Sequence, residues 1–269
     1  MKSIIVHAHE DDAFKTRFDV ALDVARAFDA HLTCLHITPY NAYVAFDPMG
    51  VAQASPIIVD DLRAREKAFR EAVEQRLGHE DVRWDWASVD GDPAMTLVNW
   101  AALADLIVLS QAKRPGAASG RPPPLVDDVV VNAGCASLVV PSGHGRFDPA
   151  GCMVVGWNAS EQAARAIRQA LPLLARASAV HIASVGEDGE DFPQTAASAY
   201  LSRHGIASEL HVLKNGADAG TELHDFAVNM GASALVIGAY GHSRLRETLL
   251  GGVTRTLTTT ATIPLVLGR

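Results

Sequence analysis

The apolar run Ala234-Leu235-Val236-Ile237 leads into Gly238-Ala239-Tyr240-Gly241; nine intervening residues, His242 to Leu250, separate this from the pair Gly251-Gly252, followed by Val253-Thr254. Glycine lets backbone N–H groups crowd around an anion, because no Cβ blocks the approach and positive φ is cheap. A helix beginning near Gly251 would add its free N–H groups and the positive end of its dipole. Strand, glycine loop and helix start together suit a phosphate cradle at the carboxyl end of a sheet strand. The pattern is not the dinucleotide fingerprint, and no lysine follows the glycines as it would in a P-loop. On spacing alone, a glycine-rich connection without a ligand accounts for it equally well.

Other residues with chemical potential are scattered. Gly156-Trp157-Asn158-Ala159-Ser160 ends an apolar strand. Asn158 can accept from a sugar hydroxyl or pair with a base edge, while Asn158 or Ser160 can equally cap the helix that follows. His242, Arg244, Arg246 and Arg255 lie in or just after the glycine loop, where their charge can reach phosphates. His7, His9 and His36, with Glu10, Asp11 and Asp12, match no close metal-ligand motif, and core or capping roles suit them better. Cys34, Cys135 and Cys152 have no ligand-type spacing and read as buried free thiols in a cytoplasmic protein. A Gly-x-Ser-x-Gly elbow and a paired-carboxylate signature are both missing, so no catalytic residue is expected.

These residues need a scaffold, and 269 residues suit two domains. The chain repeats itself. Ser3 to Ala8, Phe14 to Asp29 and Leu32 to Ile37 read as strand, amphipathic helix and strand; Cys152 to Val155, Glu161 to Arg176 and Ala179 to Val185 read the same way. Gly91 to Ala104, Asp105 to Leu109 and Cys135 to Val140 are matched by Gly216 to Met230, Ala234 to Ile237 and Thr262 to Leu267. Such alternation predicts α/β domains with parallel sheets, over residues 1–146 and 149–269, joined by the turn-rich Ser142 to Pro149. A formal charge of −8 argues against nucleic-acid binding. The start of the chain does not read as a signal peptide, and no apolar run is long enough to span a membrane.

The Gly-x2-Gly-x9-Gly spacing, ending one repeat and followed by Val-Thr and a last strand, resembles the nucleotide loop of the universal stress protein family. The resemblance implies the family's adenine nucleotide alpha hydrolase-like fold, an open five-stranded parallel sheet, here in tandem and paired through the last strands as an intrachain pseudo-dimer. It implies a cytoplasmic, non-enzymatic regulatory or stress-response protein that holds ATP or AMP, with or without magnesium, and meets a protein partner, slow hydrolysis being the only chemistry envisaged. By the same resemblance the contacts are Gly156, Asn158, the backbone of Val185, Ile237, Gly238, Gly241, Gly251, Gly252, Val253 and Thr254. Two positions depart from the pattern: Asn158 stands where Asp is usual, and Gly252 where ATP-binding members carry Ser or Thr.

The first repeat lacks the loop. Ser110 falls opposite Gly238 and Lys113 opposite Gly241, and the proline-rich stretch from Arg114 to Pro124 takes the loop's place. Asp127 and Asp128 fall at the following helix start, where carboxylates would satisfy the dipole. Residues 1–148 hold 14 Lys and Arg against 21 Asp and Glu, whereas residues 149–269 hold 9 against 10. A polyphosphate is thus expected in the second domain alone. Two alternatives stay open: an interaction module of the same fold that binds no nucleotide, and an apolar ligand under the aromatic segment Tyr40 to Met49. Further dimerisation is open too.

Overall fold

The computed structural model describes residues 1–39, 44–46, 52–54, 56–111, 125–186, 193–214, 216, 218–239 and 252–269. The first half begins β1 (Ser3–His7), α1 (Phe14–Phe28) and β2 (His31–Thr38). A small antiparallel hairpin, β3 (Val44–Phe46) and β4 (Ala52–Ala54), precedes α2 (Pro56–Leu77) and β5 (Arg83–Asp90). The half closes with α3 (Pro93–Ala101), β6 (Leu106–Ser110), α4 (Leu125–Asn132) and β7 (Ala136–Val140). The second half repeats the order without the hairpin: β8 (Met153–Gly156), α5 (Glu161–Leu174), β9 (Val180–Val185), α6 (Gln194–Arg203) and β10 (Glu209–Leu213). It ends with α7 (Ala219–Asn229), β11 (Ala234–Gly238), α8 (Gly252–Thr260) and β12 (Leu265–Gly268).

All ten main strands join one sheet in the order β10-β9-β8-β11-β12-β7-β6-β1-β2-β5. Every pairing is parallel except β12 with β7, where Leu265, Val266 and Leu267 oppose Val139, Leu138 and Ser137. Each half therefore contributes five strands, and the two meet through their last strands as the resemblance implied. Strands this apolar need cover on both faces. One face is covered by α1, α2, α5 and α6, which bury Phe18, Leu22, Val73, Ala166, Ile167 and Leu201 against it. The other lies under α3, α4, α7 and α8, through Leu97, Val129, Leu223 and Leu257. Both cores run across the junction between halves.

The stretch Ser142 to Pro149 lies between β7 and β8, and it is fastened. The Asp23 carboxylate of α1 accepts from Arg146 at 3.0 Å and from the Phe147 N–H at 3.1 Å, while the Phe147 ring enters the core. At the other edge of the junction, Gln169 of α5 donates to the Gly134 carbonyl, and Arg269 donates to that of Val131. A buried aromatic ring and charge-assisted bonds make this a fixed joint.

Candidate functional site

In each half the chain leaves the first strand toward one sheet edge and later returns to the strand on its other side. The reversal falls between β8 and β11 in the second half and between β1 and β6 in the first. Ligands of open α/β sheets bind in the crevice outside the carboxyl ends of strands at such a reversal. In the second half those ends are Gly156 on β8 and Gly238 on β11, with Val185 closing the neighbouring β9.

Ser160 resolves one ambiguity of the sequence. Its hydroxyl accepts from the Ala163 N–H at 3.1 Å and so caps α5, and it donates to Asn158 Oδ1 at 2.6 Å. Asn158 is thereby left exposed at the crevice mouth, oriented by the cap without being the cap. Ala159 between them sits at φ 57°, a left-handed conformation that turns the chain sharply into the helix.

The glycines have packing duties of their own. A Cβ on Gly238 would stand 2.5 Å from the Ala163 nitrogen and the Gln162 carbonyl carbon, both backbone atoms at the start of α5. A Cβ on Gly156 would meet Ile237 Cγ2 at 2.9 Å, and one on Gly268, paired with Gly238 across β11 and β12, would meet the Ala166 Cα at 2.5 Å. These three positions let α5 and α7 settle close on the sheet. Thr254, in the first turn of α8, is buried and directs its hydroxyl at the Gly238 carbonyl, 3.5 Å away. Val253 is half-buried beside it, and Ile237 lies within the core. Gly252 opens α8, while Gly241, Gly251, His242, Arg244 and Arg246 lie outside the described residues. The first turn of α8 carries no acidic residue, whereas that of α4 carries Asp127 and Asp128 as expected.

The matching crevice of the first half is built differently. Ser110 pairs with the last residue of β7 just as Gly238 pairs with the last residue of β12, so the two correspond as the alignment predicts. Beside Ser110 lies the guanidinium of Arg17, almost wholly buried. It donates to the carbonyls of His7 at 2.7 Å and His9 at 3.1 Å, to Ser110 Oγ, and to the Asp11 carboxylate at 3.2 Å. Burial lowers the Arg17 pKa, with Asp11 opposing the shift, and the side chain stays cationic. Burial, helped by the Arg17 charge, holds His7 well below the usual imidazole value, and His9 is lowered mainly by burial as well. What remains is an open cleft of about 380 Å3 lined by these groups with Asp12, Gln111 and Leu125.

His36 takes a core role, bonding the Ala8 carbonyl at 2.7 Å and Thr38 at 3.1 Å, and His7 stacks on His9. Asp11 caps the turn into α1 by accepting from the Ala13 N–H. Arg17 is the residue that sequence reasoning missed: on an amphipathic helix it reads as solvated, and only its buried neighbours reveal its work. Of the aromatic segment Tyr40 to Met49, only the backbone of Val44–Phe46 is described, and the rest lies outside the described residues.

The sequence profile of the universal stress protein family matches residues 1–141 and 152–269. No curated protein matches the chain. Among solved structures, a universal stress protein from Archaeoglobus fulgidus DSM 4304 superposes with a TM-score of 0.74 at 14% identity, covering 99% of this chain and 97% of its own. A functionally unknown protein from Pseudomonas aeruginosa PAO1 gives a TM-score of 0.65 at 15% identity, covering 99% and 92%. The cytoplasmic domain of a prokaryotic cation chloride cotransporter gives 0.55 at 10% identity, covering 99% and 95%. At these identities the likeness speaks for the fold.

Proposed function

As a member of the universal stress protein family with two tandem domains, this chain has a candidate crevice in each half, and we propose that only the second is used: it binds an adenine nucleotide, ATP or AMP, and the protein acts as a regulator in the stress response. The observation that carries this reading is the contrast between the halves. The first crevice spends its polar groups on its own Arg17–Asp11 pair, and its helix start bears two carboxylates that repel phosphate. The second keeps Asn158 exposed at its mouth and a helix start without acidic residues. Among the described residues, Gln162 Oε1 is buried without a hydrogen-bond donor, and the Gln162 backbone adjoins Gly238.

In this reading Asn158 meets the nucleoside, and backbone amides from the loop between Gly238 and Gly252 take the phosphates. Thr254 directs its hydroxyl inward, so it does not replace the hydroxyl that Ser or Thr would supply at position 252. The helix dipole of α8 adds to the field on the phosphates. In this reading the groups around the crevice bind and orient a nucleotide, with slow hydrolysis the only chemistry envisaged. Free thiols suit a reducing cytoplasm, and among the described residues no helix is long and apolar enough to cross a membrane.

Calorimetry of the full chain with ATP, ADP and AMP, with and without magnesium, tests the proposal. About one nucleotide per chain is expected, lost in Gly241→Val and tightened in Gly252→Ser. Absence of binding at millimolar nucleotide sinks it. That result would favour the interaction-module reading, which has one observation of its own: Met95 and Trp100 of α3 and the nearby Leu103 are exposed apolar side chains on one side of the first half.

A further inference from the structure

Far from that crevice, at the outer edge of the second half, two imidazoles and a carboxylate converge. His181 lies near the start of β9, and its register partner on the edge strand β10 is Glu209. His211, two residues on, shares the face of Glu209, because side chains in a strand repeat every second residue. His181 Nδ1 lies 3.1 Å from His211 Nε2 and 3.5 Å from Glu209 Oε2, and the latter two atoms are 3.8 Å apart. The same three atoms take part in all three distances.

A triangle with these sides has a circumradius of about 2.0 Å, the bond length of zinc to histidine nitrogen and carboxylate oxygen. One point therefore lies at coordination distance from all three atoms with no side chain moved. The support beneath the rings is fixed. His181 is buried, the His211 ring packs on Phe226 of α7 with centroids 4.9 Å apart, and the His211 carbonyl accepts from Gln194 of α6. Glu209 is three-quarters exposed, which leaves solvent access for a fourth, water ligand. Two imidazoles and one carboxylate are a donor set for a first-row divalent ion and a poor one for magnesium or calcium, which take oxygen.

We propose that His181, Glu209 and His211 form a zinc(II) site that fastens the edge strand β10 to β9. The site sits toward the amino ends of these strands, whereas the nucleotide crevice lies at the carboxyl ends. From His181 to Val185 is a span of about 13 Å along β9. The two sites are therefore separable, and the metal does not depend on the nucleotide reading. Its role is to clamp an edge that hydrogen-bonds to one neighbour only.

The competing account is a hydrogen bond between the two rings with no ion, and the two differ in what they predict. Chelator-stripped full-length chain is titrated with zinc against a chromophoric chelator, and with cobalt(II) as a visible-light probe. We expect about one zinc per chain, a raised unfolding temperature on loading, and cobalt d–d bands without a thiolate charge-transfer band, although Cys152 precedes the neighbouring strand. Glu209→Gln, at an exposed position that folding tolerates, should weaken zinc binding at least about tenfold, and His211→Ala should abolish the stoichiometric site. The Gly241→Val variant should bind zinc like the parent. Failure of the stripped chain to take up zinc overturns the proposal. So does zinc binding that is unchanged in both Glu209→Gln and His211→Ala.

Discussion

Take the Arg17 guanidinium away and the carbonyls of His7 and His9 lose a charged donor in a buried place. Arg17→Met should therefore cost about 3 kcal/mol or more in denaturant unfolding, because the cost of breaking a buried pair falls on the partners left behind. Ser137 makes the opposite prediction. Its Oγ is buried at the strand junction with no partner among the described residues, so Ser137→Ala should be neutral or stabilising by up to about 1 kcal/mol. His7 sets a pH dependence. Folded His7 has a depressed pKa from burial and from the Arg17 charge, with His9 and His36 acting more weakly in the same direction. The unfolded chain takes up a proton below about pH 6.5, while the folded chain does so only at lower pH. Stability is thus complete above about pH 6.5 and drains as pH falls toward the folded value. Unfolding temperatures between pH 7.5 and 5 should show a slope that His7→Gln makes shallower, His9 and His144 retaining part of it. None of these roles is written in residue type. Asn158 was legible as a candidate, but that Ser160 does the capping and frees it depends on a turn through Ala159 that no spacing rule reveals.

Central strands and the helices between them were legible to within a few residues, because apolar runs and helical periodicity mark elements buried on at least one face. The edge strands were not. β5 and β10 alternate exposed and half-buried positions and carry Arg83, Asp85, Glu209 and His211, so no apolar run announces them. The helix α2 hides similarly behind a nearly continuous run of charges. The same edge composition concealed the Glu209/His211 pair, which becomes a site only when His181 is brought opposite by the parallel register. Among the glycines, spacing suggested a ligand loop beginning at Gly238, and the structure adds a reason of a different kind. A side chain there would collide with the backbone of α5, so Gly238→Val should lower the unfolding temperature and make a poor probe of ligand binding. Circular dichroism melts comparing Gly238→Val with Gly241→Val separate the two duties. Equal melts would mean that α5 yields easily.

At the scale of the whole molecule, the halves are joined by three opposed residue pairs on β7 and β12, by two continuous cores and by the Asp23 clasp on the linker. Residues 149–269 expressed alone would expose the apolar edge of β12. They should self-associate through it, and size-exclusion chromatography with light scattering should report a dimer. A monomeric fragment would show that the strand junction contributes less than the helices laid across it.

Because that single antiparallel pairing reverses the sheet, the carboxyl ends of the two halves point to opposite ends of the molecule. A symmetric pair of identical domains would carry two equal crevices and could answer a signal steeply, one occupancy favouring the next. Here Arg17 and Asp11 pair with each other in one crevice, and on the proposed reading only the crevice at the opposite end binds. On that reading a single chain answers its nucleotide with a hyperbola: graded over roughly two decades of concentration, never a threshold. The duplication has made a dimmer from the parts of a switch.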